Sequence, residues 1–99
     1  MEKGLKNRFN DAKCDPSGRL WAGTMGPEQP DGSYRPHDGA LYSFDGSGDA
    51  KMHVPRQGIS NGLAWSLDNR TMFFIDSLPR KVYAFDFDIT DGSLCKNGL

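Results

Sequence analysis

The sequence predicts an all-β protein made of short strands joined by tight turns. The chain of 99 residues contains 12 glycines and six prolines, a composition that favours turns over long helices. Short segments alternate between apolar and polar residues, whereas sustained helical spacing of apolar residues is hard to find. Clusters of turn-forming residues separate these segments at intervals of roughly ten residues, which is typical of all-β domains.

Seven strands are predicted along the chain. Asp15-Pro16-Ser17-Gly18 has the residues of a type I turn, with Asp first, Pro second and Gly last. Arg8 and Asn10 precede the first predicted strand and Asp11 begins it, so we expect a polar lead-in that could bind a ligand. The predicted strands lie at roughly 11–15, 20–25, 40–45, 51–55, 62–66, 71–76 and 81–87.

Two parts of the chain resemble each other, which indicates an internal repeat. Leu41–Asp45 is similar to Val82–Asp86 at a spacing of 41 residues. A longer loop between Gly26 and Asp38 in the first copy explains why the spacing is not constant. The pairs at a spacing of 51 residues are Asn10 and Asn61, Cys14 and Trp65, Arg19 and Arg70, and Trp21 and Met72.

Each copy has the size of a four-stranded antiparallel blade of a β-propeller. We place a first blade at 1–58 and an incomplete second blade at 59–99. Propellers typically close with four to eight blades, so we expect two consecutive blades of a larger propeller, that is, a fragment. Its aromatic side chains would then pack partly on each other and partly on further blades. A small seven-stranded sandwich is the alternative.

Composition and charge exclude several classes of function. The net charge of −1 and the pI near 6.0 provide no basic surface for nucleic acid or for an anionic membrane. Cys14 and Cys95 lack the spacing of a zinc site or a disulfide scaffold. The first residues form no apolar leader, and the longest apolar run, Met72–Ile75, is too short for a membrane span. We therefore expect a cytoplasmic protein.

Few residues suggest chemistry by themselves. Asp45–Asp49 resembles the start of an EF-hand loop, but Ala50 stands at the required glycine and Arg56 at the closing glutamate. His37 and His53 are isolated, in a predicted loop and a predicted edge strand, and are predicted to lie on the surface. Asn61-Gly62 has two interpretations: Asn-Gly is a strong hairpin signal, but here it leads directly into a strand. In the second interpretation the amide oxygen of Asn61 is a hard ligand suited to Ca²⁺, Mg²⁺ or Mn²⁺.

Six segments carry a resemblance to a known family: Asn7–Gly18, Ala22–Met25, Gly39–Tyr42, Ile59–Ser66, Phe74–Ser77 and Tyr83–Asp88. They resemble the family of regucalcin (senescence marker protein 30), the gluconolactonases and the insect luciferin-regenerating enzymes. The similarity covers nearly the whole chain, and the gaps between its motifs fit without insertions. One departure is Ala12, where the family usually has Gly, so a positive φ there would strain the backbone.

The resemblance implies a six-bladed β-propeller that hydrolyses sugar lactones such as gluconolactone with one divalent metal (Ca²⁺, Zn²⁺, Mn²⁺ or Mg²⁺) in its central channel. Asn61 matches a metal-binding asparagine of the family. Arg8 and Asn10 match the pair that contacts the lactone, and Glu28 matches an acidic residue on the substrate side.

The resemblance also implies that the site is incomplete. The family's other two metal ligands, a Glu and an Asp that is also the catalytic acid/base, match no residue of this chain. No catalytic residue is therefore assigned, and the chain alone is expected to be inactive and poorly folded. A calcium-binding or regulatory propeller without catalytic activity is the alternative function.

Overall fold

The computed structural model describes residues 7–96 and contains two four-stranded antiparallel sheets. The first sheet consists of β1 (Arg8–Cys14), β2 (Leu20–Met25), β3 (Gly39–Phe44) and β4 (Ala50–Gln57). The second sheet consists of β5 (Ser60–Trp65), β6 (Thr71–Asp76), β7 (Lys81–Asp88) and β8 (Ser93–Lys96). In both sheets each strand pairs with the next strand along the chain. The structure thus has two consecutive blade-like units rather than a seven-stranded sandwich.

The structure differs from the predicted strands most at β8 and at the start of β1. β8 is not among the seven predicted strands, and it supplies the fourth strand that was expected to be incomplete in the second blade. With four residues it is half as long as the eight-residue β4, and its segment is too short to carry a clear alternation. β1 begins at Arg8, three residues before the predicted start. Arg8, Asn10 and Asp11 are therefore strand residues and not a polar lead-in.

The predicted turn at Asp15–Gly18 is confirmed, and the carboxylate of Asp15 organises it. The Gly18 amide donates to the Asp15 carbonyl at 2.9 Å, and Gly18 has a φ of 92°. The carboxylate accepts hydrogen bonds from the Ser17 hydroxyl (2.6 Å), the Arg19 guanidinium (2.8 Å) and the Trp21 indole (3.0 Å). Burial raises the pKa of Asp15, but the hydrogen bonds from Ser17, Trp21 and Arg19 outweigh it and hold the pKa below 3.8.

The pairing register corrects the alignment of the two copies. Cys14 pairs with Leu20 in the first hairpin, whereas Trp65 pairs with Met72 in the second, so the second hairpin is one residue longer. Leu20, and not Trp21, therefore has the position of Met72. Because successive strand residues point to opposite faces, this single residue places Trp21 and Met72 on opposite faces of their sheets.

The hydrophobic core lies between the two sheets. Trp21 is fully buried there, and its ring meets the rings of Trp65 and Phe87 with centroids 6.2 and 6.0 Å apart. Edge-to-face aromatic pairs of this kind add stability to a core in addition to that from the apolar area they bury. The first sheet supplies few large side chains and the second supplies most of them: Trp21 and Leu41 face Leu63, Met72, Phe74, Phe85 and Phe87.

The outer face of each sheet is apolar and open. The second sheet exposes Phe73, Ile75 and Val82 by 37%, 37% and 61%. A face of this kind on a soluble protein usually marks a contact with another element or molecule, which fits the expectation of packing against further blades. On the first sheet, a cavity of about 360 Å³ is lined by Phe9, Ala12, Leu20, Ala22 and Phe44.

The surface prediction holds for His37, which is exposed, but it is wrong for His53. The His53 ring stacks on Trp21 with centroids 4.5 Å apart, and its Nε2 lies 2.7 Å from the Ser43 hydroxyl. Burial, followed by the positive charges of Lys51 and Arg19, lowers the pKa of His53 to about 4. Among residues 7–96, no helix is long and apolar enough to cross a membrane.

Candidate functional site

The sequence-predicted site residues lie near one end of the two sheets, where β1 and β5 approach each other. The side-chain amide of Asn10 in β1 donates to the Ser60 carbonyl of β5 at 2.8 Å. Met25 at the end of β2 forms a bridge to Ile59, and the same Met25 pairs with Arg8. This end therefore collects the start of β1, the end of β2 and the start of β5.

Asn61 and Gly62 lie inside β5 and not in a hairpin turn, so the hairpin interpretation is wrong. The register of β5 against β6 shifts between Asn61 and Leu63, which is a β-bulge. The Gly62 amide donates to the Asn61 side-chain oxygen at 3.0 Å. Bulges change the direction of side chains and are frequent next to functional sites.

β1 has a bulge at the same place in its own sheet. Its register against β2 shifts between Phe9 and Ala12, and the Ala12 amide donates to the Asp11 carboxylate at 3.0 Å. Each bulge is thus closed by a side-chain oxygen that accepts from the next amide. The strain considered for Ala12 does not arise, because the described non-glycine residues with positive φ are Arg56, Asn69 and Arg80.

Asn61 fits the role of a single metal ligand. Its side chain is exposed, Nδ2 donates to the Ser77 hydroxyl at 3.1 Å, and Oδ1 accepts from Gly62. An amide oxygen has two lone pairs, so Oδ1 can also contact a cation. Ca²⁺ requires six to eight oxygen ligands, and residues 7–96 contain no group of three or more His, Cys, Asp or Glu side chains suited to a metal. This part of the chain can supply one ligand, not a whole centre.

Arg8 and Asn10 are exposed on the same strand at this end of the sheet. The Arg8 guanidinium donates to the Phe9 carbonyl at 3.3 Å, a weak local contact. The side-chain Nδ2 of Asn10 joins β1 to β5. The side-chain oxygen, Oδ1, is therefore the atom of Asn10 that could contact a ligand. Asn10 therefore also stabilises the contact between the two sheets.

Glu28 lies in the loop between β2 and β3, and the structure does not bring it into contact with the other three residues. The loop leaves β2 directly after Met25, the pairing partner of Arg8. Glu28 is exposed, and its carboxylate accepts a hydrogen bond from the Tyr34 hydroxyl of the same loop at 3.2 Å. The loop thus departs from the site end, but the Glu28 side chain is held within it.

Asp76 and Ser77 were missed as site residues. Asp76 is 3% exposed, and its carboxylate accepts hydrogen bonds from the amides of Gly58 (2.8 Å), Ile59 (2.9 Å) and Leu78 (3.2 Å). Ser77 carries the hydroxyl that Asn61 contacts. An Asp at a strand end followed by Ser is a turn signal that sequence reasoning could have used, but its partners are distant in the chain.

Comparison with known proteins identifies the family. The family model "SMP-30/Gluconolactonase/LRE-like region" matches residues 1–98. Human regucalcin is 47% identical over 88 residues, which cover 89% of this chain and 29% of that protein. Chicken (Gallus gallus) regucalcin is 46% identical over 88 residues, with the same two shares.

Two solved structures agree with this result. A luciferin-regenerating enzyme superposes with a TM-score of 0.81 at 41% identity, covering 90% of this chain and 29% of that one. A calcium-binding protein, regucalcin, from Agrobacterium tumefaciens gives a TM-score of 0.75 at 28% identity, covering 94% and 29%. The chain spans less than a third of these relatives, which confirms the prediction of about two consecutive propeller blades. The chain belongs to the SMP-30/gluconolactonase/LRE-like family.

Proposed function

We propose that the protein, with the further blades that its relatives have, is a metal-dependent hydrolase of sugar lactones of the gluconolactonase type. Asn61 is one metal ligand, and Arg8, Asn10 and Glu28 face the lactone. The main support is the placement of Asn10 and Asn61 at the bulges of β1 and β5, two edge strands that contact each other, with Arg8 at the same end. The chain covers 29% of human regucalcin, so the activity is proposed for the complete protein and not for these blades alone.

Each residue has a chemical role in this proposal. A divalent cation (Ca²⁺, Zn²⁺, Mn²⁺ or Mg²⁺) would supply Lewis acidity for the lactone carbonyl. Asn61 contributes a neutral, hard oxygen to its coordination. The planar guanidinium of Arg8 donates to ring and carbonyl oxygens, while the oxygens of Asn10 and Glu28 accept hydrogen bonds from sugar hydroxyls. The acid/base group is expected in a blade outside this chain.

Hydrolysis of gluconolactone tests the proposal. The complete protein is freed of metal and assayed with each of the four cations. We expect activity that depends on added metal, and we expect the 99-residue chain to be inactive because it offers one ligand. A complete protein that shows no lactone hydrolysis with any of these cations would contradict the proposal.

A calcium-binding protein without turnover is the second candidate. It is favoured by the description of the Agrobacterium tumefaciens relative as a calcium-binding protein. Calorimetry that detects Ca²⁺ binding to the complete protein, together with no lactone hydrolysis, would select this candidate over the enzyme.

We also propose a cytoplasmic location and a sugar lactone as the binding partner, without nucleic acid or membrane. Cys14 and Cys95 are exposed free thiols, as expected of a protein in a reducing compartment. The net charge of −1 offers no general attraction to nucleic acid. Fractionation of the source cells would test the location.

A further inference from the structure

We propose that Ser77 is a positioning residue that orients the side-chain amide of Asn61, and that Asp76 fixes the backbone on which both residues stand. This inference rests on the proposed role of Asn61 as a metal ligand. It assigns functions to a turn hydroxyl and to a buried carboxylate that the proposed chemistry does not otherwise use.

The amide of Asn61 must present its oxygen, and not its NH₂ group, to a cation. The two ends of an asparagine amide have nearly the same shape, so hydrogen bonds decide which way it points. Nδ2 donates to the Ser77 hydroxyl at 3.1 Å, and Oδ1 accepts from the Gly62 amide at 3.0 Å. In the reversed amide the NH₂ group would face the Gly62 N–H, donor against donor. The Gly62 N–H therefore selects the orientation, and the Ser77 hydroxyl, by accepting from Nδ2, holds the amide in it.

The Ser77 hydroxyl is itself held at a fixed place relative to β5. The Ser77 amide donates to the Ile59 carbonyl at 3.1 Å, two residues before Asn61. The Asp76 carboxylate bonds the Gly58 and Ile59 amides before β5 and the Leu78 amide after β6. Asp76 thus ties together the two backbone segments that carry Asn61 and Ser77.

The first sheet lacks this arrangement, although it has an asparagine at the same place. Thr24 pairs with Phe9 as Asp76 pairs with Ser60, so Thr24 and the following Met25 are the counterparts of Asp76 and Ser77. Met25 offers no hydroxyl. The amide of Asn10 contacts the main-chain oxygen of Ser60 instead. Of the two asparagines, Asn61 of the second sheet, the proposed metal ligand, is the one whose side-chain amide has a hydroxyl partner.

Ca²⁺ titration calorimetry on the complete protein tests the inference with Ser77→Ala, in which the acceptor is removed. Loss of a residue that orients a ligand typically weakens metal binding about 10-fold to 100-fold, so we expect at least about a 10-fold loss. Ser77→Thr keeps the hydroxyl and should stay within about twofold of the parent. Ser47→Ala, in an exposed turn, is the matched control and should have no effect.

The same substitution in an Asn61→Asp background separates positioning from general stability. Both terminal atoms of the Asp side chain are oxygens, so there is no amide to orient. In this background Ser77→Ala should therefore change Ca²⁺ affinity by less than about twofold. An equal loss in both backgrounds would overturn the positioning role. No loss in the Asn61 background would overturn it as well.

The NMR signals of the Asn61 side-chain amide provide a readout without metal. We expect Ser77→Ala to shift this NH₂ pair and to accelerate its hydrogen exchange. Unchanged signals would overturn the inference whether or not the protein binds metal. If instead Asn61→Ala leaves Ca²⁺ affinity unchanged, it is the ligand assignment of the proposed function that fails.

Discussion

The two sheets share one topology, but their hairpins are stabilised differently. In the first sheet the Asp15 carboxylate binds the turn and the indole nitrogen of Trp21. In the second sheet Ser66 has the position of Asp15, and it has no carboxylate with which to bind both a turn and an indole nitrogen. The indole nitrogen of Trp65 is buried without a hydrogen-bond partner among the described residues. Two sheets with the same strand order can therefore differ in the hydrogen bonds that their side chains form.

The sheets also differ at the point where they touch each other. A Cβ atom at Gly23 would overlap the Ser60 side chain, so glycine permits the close approach of β2 to β5. The counterparts of Gly23 and Ser60 in the register are Ile75 and Phe9, which are both large and partly exposed. A second copy of the first sheet consequently could not pack on the open face of the second sheet in the same geometry, because Phe9 would meet Ile75. The contact inside the chain is specific to this pair of sheets.

A substitution at Gly23 tests this difference and should have the largest effect. Gly23→Ala places a methyl group against the Ser60 side chain, and overpacking of this kind costs about 3 kcal/mol. In the complete protein Ile75→Val, at the counterpart position, adds no atoms to a contact and should cost only about 1 kcal/mol. Urea unfolding of both variants measures the two free energies. Equal losses would contradict the comparison.

The two hairpins should differ by a smaller amount. Asp15→Asn weakens several bonds to a buried carboxylate and should reduce the free energy of unfolding by about 2 kcal/mol. Ser66→Ala at the counterpart position should cost about 1 kcal/mol or less. Because the pKa of Asp15 is lowered in the fold, its contribution is present above the unfolded pKa and disappears as pH falls through the folded one. Chemical unfolding at neutral pH checks the order, and a larger loss for Ser66→Ala would contradict it.

His53 provides the smallest and most local of these effects. Its pKa is about 4 in the fold against 6.5 in the unfolded chain, so protonation favours the unfolded state. Stability should therefore fall as pH decreases from about 6.5 to about 4 and be unaffected by this group above that window. The second sheet has no histidine, so His53→Gln should remove the dependence. A pH profile that is unchanged in this variant would contradict the explanation.

Much of the fold could be predicted from local patterns, whereas parts of the site could not. Turn clusters and alternation identify seven of the eight strands and the two-blade organisation. Arg19 and Arg70 align at the same spacing as Asn10 and Asn61, so the sequence does not show the extra residue in the second hairpin. The pairing of the strands reveals it. The bond from Asn61 to Ser77 joins residues that are 16 positions apart, which no local pattern indicates. Burial of His53 depends likewise on Trp21 from another strand.

In the proposed site, Asn61 contacts the metal and Arg8 contacts the substrate at one end of the sheets. Ca²⁺ titration calorimetry on Asn61→Ala and Arg8→Ala, each in the complete protein, tests it most directly. We expect Asn61→Ala to lower Ca²⁺ affinity at least about tenfold, whereas Arg8→Ala should leave it within about twofold and instead weaken the use of gluconolactone. Equal losses of Ca²⁺ affinity in both variants, or no loss in Asn61→Ala, would contradict it.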